Sequence, residues 1–228
     1  MKKITNNAIY HLHILTIIMA IGRTRTNLRA EIENWHDIIA IMIDDISIHY
    51  QEQYVNIEII ANNEAEEQSK GDHDIYSTII DSYASEIERR AYTSFHAHQI
   101  LFCTIYSYFE TMLNRIIHYR FTGGKMRFQD TKSILNAICN DYYKRFGVSL
   151  HIEYADIVKE FYRLLRNCFM HGKLYDKEKE LQLKHYCEEN DSINFNGDIP
   201  IILDNSFLIK ALNNVFKVLI QIDDAYSS

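Results

Sequence analysis

The chain has 228 residues, of which 47% are hydrophobic and 24% charged, with a formal net charge of −7. That is enough to bury a core, as one large domain or a core domain with an extension, and too acidic for a protein that coats nucleic acid through bulk charge. One Pro and seven Gly leave few helix breakers, so the Ile-, Leu-, Ala-, Glu- and Tyr-rich stretches predict an all-α fold.

The first segment, about residues 5–62, reads as helical with interruptions. Helical apolar spacing runs through Ile9, Leu12, Ile17 and Ile18, then through Ile32, Ile38, Ile39, Ile41 and Ile43. Met1-Lys2-Lys3 ahead of Ile14 to Ile21 has the outline of a leader. The apolar run is short, however, His11 and His13 interrupt its approach, and no small-residue cleavage site follows, so neither a signal peptide nor a membrane span is expected. The acidic run Asn62 to Asp74, containing Lys70-Gly71, is the expected linker or exposed loop. It divides an N-terminal helical extension (1–72) from a main helical domain (73–228).

A long helix is predicted over about 76–121, where Ile87, Ala91, Phe95, Leu101, Ile105, Phe109, Met112 and Ile116 keep an apolar stripe. Thr122-Gly123-Gly124 ends it. A helix over about 130–146 stops at Gly147, and one over about 153–171 stops at Gly172. A polar helix over about 176–189 comes next. Asn196-Gly197 between alternating apolar residues predicts a small β-hairpin, and Asp204 or Asn205 caps a final helix carrying Leu208, Leu212, Val215 and Leu219.

The four cysteines form no C-x-x-C pair, which fits reduced thiols in a cytoplasmic protein. Charge is unevenly distributed. Residues 31–110 hold 16 Asp/Glu against 3 Lys/Arg, a net of −13, while residues 115–173 hold 11 Lys/Arg against 5 Asp/Glu, a net of +6. A polyanion could be recognised locally by the basic half.

That half contains Arg166-Asn167-Cys168-Phe169-Met170-His171-Gly172. On a helical wheel of about 100° per residue, Tyr154, Val158, Phe161, Leu165, Cys168 and Phe169 share the core face. Arg166 and His171 border the polar arc, which also holds Arg163, Asn167 and, oddly, Met170. A partner covering that arc would account for the methionine. Other Arg/His pairs at similar spacing, such as Arg89/His96 and Arg145/His151, lack an apolar run closed by His-Gly. A structural alternative stands beside this reading: a His in the last helical turn favours the helix dipole, Gly172 is an ordinary stop, and Arg166 could pair with a surface carboxylate.

Three other candidates read as structural. His96 and His98 splay about 200° apart on a helix and make a poor chelate. Cys168 lies on the core face and reads as a buried thiol rather than a nucleophile. Gly123-Gly124-Lys125 lacks the spacing of a phosphate loop.

Arg166, Asn167 and His171 match the Arg-polar-x3-His pattern that marks the HEPN superfamily, and the sequence resembles that family over about residues 80–225. Phe102 to Ile117, with Tyr108-Phe109-Glu110, looks like the family's long early helix. A family variant places a Tyr two residues after the His; here that position is Lys173, and the nearest Tyr is Tyr175. The resemblance implies a HEPN-like helical bundle, a homodimer whose motif helices face each other, and a metal-independent endoribonuclease of toxin–antitoxin or phage-defence type. An antitoxin or defence-system partner would restrain it, and no cofactor or metal is called for. Noncatalytic HEPN-type modules that bind RNA or nucleotides, or assemble as dimers, are the alternative within the family. A purely structural helical protein is the third reading.

The chemistry suits those residues. RNA supplies its own nucleophile, the ribose 2′-OH, so the protein need only move protons and stabilise charge. His171 would carry the proton, Arg166 would hold the phosphate oxygens, and Asn167 would orient the imidazole or the phosphate. Arg163 and Lys173 would bind neighbouring RNA phosphates.

Overall fold

The computed structural model of the protein describes residues 28–120, 131–172, 174, 176–197 and 199–227. The apolar spacing at Ile9–Ile18, the turn at Thr122-Gly123-Gly124 with Lys125, and residues Lys173 and Tyr175 lie outside them.

Two long helices, α1 (Leu28–Ser69) and α2 (His73–Arg120), form an antiparallel hairpin. At 1.5 Å per residue they run about 63 Å and 72 Å. Contacts step along the pair: Tyr76 donates from its hydroxyl to Asn62 Oδ1 at 2.7 Å, Arg90 from Nη1 to Gln53, and Tyr108 from its hydroxyl to the Ile32 carbonyl at 2.8 Å. Arg115 of α2 pairs with Glu31 of α1, a carboxylate only 4% exposed. Burying that charge is tolerable because its counter-ion is in contact.

The expected interruptions in the first helix are absent from Leu28 onward, and the expected loop at 62–74 shrinks to the turn Lys70–Asp72. Acidity misleads there. Glu64, Glu66, Glu67 and Gln68 are good helix formers, and Ala61, Ala65 and Ser69 bury a narrow seam against α2. Only Lys70 and Gly71, both at positive φ, break the run, and the Asp72 carboxylate caps α2 by accepting from Asp74 N at 3.0 Å.

The remaining elements gather on the inner half of this hairpin. They are α3 (Thr131–Phe146), a π-helical segment (Ile157–Tyr162) running straight into α4 (Arg163–His171), α5 (Lys177–Glu188), a hairpin of β1 (Ile193–Asn196) and β2 (Ile199–Ile202), and α6 (Asn205–Ser227). The fold is all-α with one small antiparallel hairpin before the last helix, its register running from Ile193↔Ile202 to Asn196↔Ile199. Ile32, Ile39 and Ile43 of α1 join the same hydrophobic core as Phe102, Phe109, Leu165 and Leu219. Asp204 caps α6, accepting from Ser206 N at 2.8 Å, and Asp176 caps α5, accepting from Glu178 N at 3.0 Å.

The π segment alters the wheel expected for the motif helix. Its wider i→i+5 turn sets adjacent residues Phe161 and Tyr162 both inward, and both are buried. Val158, Leu165 and Cys168 are buried as expected, Leu164 joins them, and Phe169 is half-buried. Tyr154 stands at φ 65 in the turn before the helix, half-buried but still packed against the core.

Candidate functional site

The motif helix is fixed by aromatic packing. Phe102 of α2 meets Tyr162 edge-on with centroids 5.7 Å apart, meets Phe169 edge-on at 5.8 Å, and stacks on Phe207 of α6 at 5.6 Å. One turn in from Arg166, the Tyr162 hydroxyl accepts from Asn214 Nδ2 of α6 at 2.9 Å, in the buried core. Burial raises the Tyr162 hydroxyl pKa above its ordinary range, against the Asn214 hydrogen bond, which lowers it. The helix then ends at Gly172, whose φ of 74 is left-handed. A glycine takes that conformation without the Cβ penalty.

This framework places Arg166 and Asn167 half-buried and leaves Met170 and His171 exposed. Arg166 Nη1 donates to Asn167 Oδ1 at 3.1 Å, and its Nη2 stands 4.0 Å from Glu110 Oε2 on α2. His171 makes no hydrogen bond or ion pair among the described residues, so Asn167 supports the guanidinium here rather than the imidazole. Arg163 sits one turn earlier. Its Nε donates to the Lys159 carbonyl at 2.9 Å and its Nη2 lies 3.8 Å from Glu160, a carboxylate that Lys132 of α3 also holds at 2.7 Å. Lys173, expected as a phosphate contact, lies outside the described residues.

Beside the helix end, an open groove of about 430 Å³ runs between α2 and α4, lined by Ile100, Cys103, Thr104, Phe169 and Met170 among others. Ile100 is 66% exposed and Met170 58%. Burial pushes the Cys103 thiol up, while the charge of Arg166 pulls it down, which puts the guanidinium within electrostatic reach of the groove.

Arg166 and His171 do not converge within one chain. Five helical positions separate them by about 140° around the axis and about 7.5 Å along it, on opposite flanks of a face centred on Asn167 and Met170. One copy therefore offers a guanidinium on one flank and an imidazole on the other. A phosphate between them would need a second contributor.

Glu110 is the residue that sequence reasoning did not assign. The segment Tyr108-Phe109-Glu110 marked the early helix, but nothing in linear spacing links position 110 to position 166. The histidine pair and the buried cysteine stand as the sequence suggested. His98 is buried and donates from Nδ1 to the Ile202 carbonyl at 3.2 Å, while His96 is exposed and meets Tyr92 edge-on at 4.4 Å. Cys168 is 1% exposed and Cys187 2%. Burial first, then the neighbouring Cys168, pushes the Cys187 thiol up to about 12, far from the range of a reactive thiolate.

Among the described residues no helix is long and apolar enough to cross a membrane. No protein-family model matches the chain, and comparisons with curated proteins and with solved structures give no match either.

Proposed function

We propose that the protein is a cytoplasmic, metal-independent endoribonuclease of toxin or phage-defence type, working as a homodimer whose two motif helices share one groove. The observation that carries this reading is the end of α4: an exposed His171 and an Asn167-supported Arg166 flank a face whose centre holds the exposed Met170. The likeness of Arg166, Asn167 and His171 to the HEPN pattern supports it, and Met170 with Ile100 supplies apolar surface for a second copy to cover. In the reaction the ribose 2′-oxygen attacks phosphorus as an imidazole takes its proton. The 5′-oxygen leaves with a proton from a second imidazole or from water, giving a 2′,3′-cyclic phosphate and a 5′-OH. Arg166 stabilises the charge that accumulates on the phosphate oxygens.

The test is incubation of the purified protein with transfer and messenger RNA in EDTA, beside His171→Ala. Cutting by the wild type alone, with 2′,3′-cyclic phosphate ends, is expected. Equal cutting by both proteins, or cutting only after metal is added, overturns the mechanism.

One observation favours a second reading. Glu110 places a negative charge 4.0 Å from the guanidinium that would hold phosphate, which suits a noncatalytic dimeric module that binds RNA or nucleotides. That module would bind RNA, leave strands intact and cause no growth arrest on expression. An arrest that disappears with Arg166→Ala excludes it.

A further inference from the structure

Beyond Ile43 the described side chains of α1 that are fully buried are Ala61, Ala65 and Ser69, and none is buried on α2 between His73 and His96. From Ile41 outward, the side of α1 turned away from the core nevertheless carries large aliphatic side chains in the open. Ile41, Ile48, Val55 and Ile59 are 60%, 56%, 41% and 50% exposed. The first three are seven residues apart. On a wheel all four fall within about 40° of one direction, opposite the buried Ile32, Ile39, Ile43 and Ala61. The stripe spans about 27 Å, five turns of helix.

Its flanks are uniformly acidic. Asp37, Asp44, Asp45, Glu52 and Glu66 lie within about 60° of the same direction and are all exposed. Among the described residues Asp44, Asp45, Glu52 and Glu66 make no ion pair. Over its whole length α1 holds ten Asp/Glu and a single basic residue, Arg29. A line of aliphatic residues at heptad spacing, edged by carboxylates, offers a docking face to a helix whose edges carry the opposite charge.

The charge decides what can cover it. Nucleic acid and anionic lipid are repelled by the carboxylates. A second copy would bring an identical acidic edge against the first, the like-charge juxtaposition by which coiled coils exclude partners. We infer that the exposed face of α1 between Ile41 and Ile59 docks a basic amphipathic helix of another protein, with aliphatic residues on the seam and Lys or Arg along its edges. This interaction uses none of the residues of the α4 site and stands independently of the nuclease reading.

The experiment uses the full chain and a synthetic 21-residue helical probe (about six turns) with Leu at the a and d positions and Lys at e and g. A matched probe carries Glu in place of Lys. Binding is followed by fluorescence anisotropy at low and high salt. Saturable one-to-one binding of the lysine probe is expected, weakened by salt, with no binding of the glutamate probe. Ile48→Glu with Val55→Glu should weaken it roughly tenfold or more while circular dichroism stays unchanged. Asp44→Lys, Asp45→Lys and Glu52→Lys together should reverse the preference, an independent check if the first variant misfolds. Failure of the lysine probe to bind, or equal binding by the Ile48/Val55 variant, overturns the inference. A dimer of the intact chain that dissociates in that variant assigns the stripe to a second copy instead. Residues 1–27 carry four basic residues and no acidic ones. A carbodiimide cross-link from Lys2 or Lys3 to the stripe carboxylates, without probe binding, assigns the face to that terminus and likewise overturns the inference.

Discussion

Replacing Tyr162 with Phe removes one oxygen from the point where the motif helix meets α6. In the native protein that hydroxyl accepts from Asn214 Nδ2 at 2.9 Å, with Tyr162 1% and Asn214 5% exposed. Phe keeps the ring contacts with Phe102 and Phe207 but strands a buried amide donor, which costs about 1–3 kcal/mol. Asn214→Leu strands the hydroxyl at similar cost. The double variant removes both polar groups together and should lie within about 1 kcal/mol of wild type, a coupling of about 1–6 kcal/mol. For a chain of this size each kcal/mol moves Tm by about 2–4 °C, so Tyr162→Phe should melt roughly 2–12 °C lower. Urea unfolding of all four proteins at neutral pH reads the cycle. If the two single costs simply add, within about 0.5 kcal/mol, the hydrogen bond does not couple the helices and the reasoning is wrong.

Gly172→Ala should cost about 1 kcal/mol through its left-handed φ alone, because a Cβ there meets nothing within 4 Å; Gly172→Asn should cost less, and equal melting of all three proteins would refute this. Mixing Arg166→Ala with His171→Ala protein should recover about a quarter of wild-type RNA cleavage, since half the dimers are mixed and one of their two symmetric sites is intact. Recovery no greater than either parent would place both groups of a site on one copy. Burial raises the hydroxyl pKa of Tyr108 and of Tyr162. Stability from keeping them neutral is full below the unfolded value of about 10 and is lost as pH rises through the folded values, because the unfolded chain releases protons that the fold retains. Urea midpoints between neutral and strongly alkaline pH should fall, and fall less in Tyr108→Phe with Tyr162→Phe.

Periodicity carried most of the fold. The second half of the 76–121 stripe, from Leu101 to Ile116, and the stripes of the 130–146 and final helices each bury one face against a common core, so local spacing and tertiary packing agree there; Ile87, Ala91 and Phe95 stay only half-buried. The Asn196-Gly197 turn and the Asp204 cap were equally plain, because turn and cap chemistry act within a few residues. Two failures share a cause. The acidic run at 62–74 resembled a linker, yet a narrow alanine seam suffices to hold a helix against its neighbour. Tyr154 was expected inside the motif helix, yet it sits in the turn before it at φ 65, still packed against the core. In both, a long-range or non-α geometry replaced the local rule. At the candidate site, the helical wheel placed Met170 outward, as it is, and the family resemblance singled out Arg166, Asn167 and His171. Neither could find Glu110, which approaches Arg166 only because α2 and α4 cross.

Toward Lys70-Gly71 the polar contacts of the α1–α2 hairpin, such as Tyr76 with Asn62 and Tyr83 with Glu64, run between its own two helices. Deleting two turns from each helix beside Lys70-Gly71 would shorten its reach by about 10 Å while keeping heptad-spaced contacts in phase. Span is therefore adjustable by genetic insertion or deletion without touching the α4 end, as with a telescoping spar whose sections share one bore.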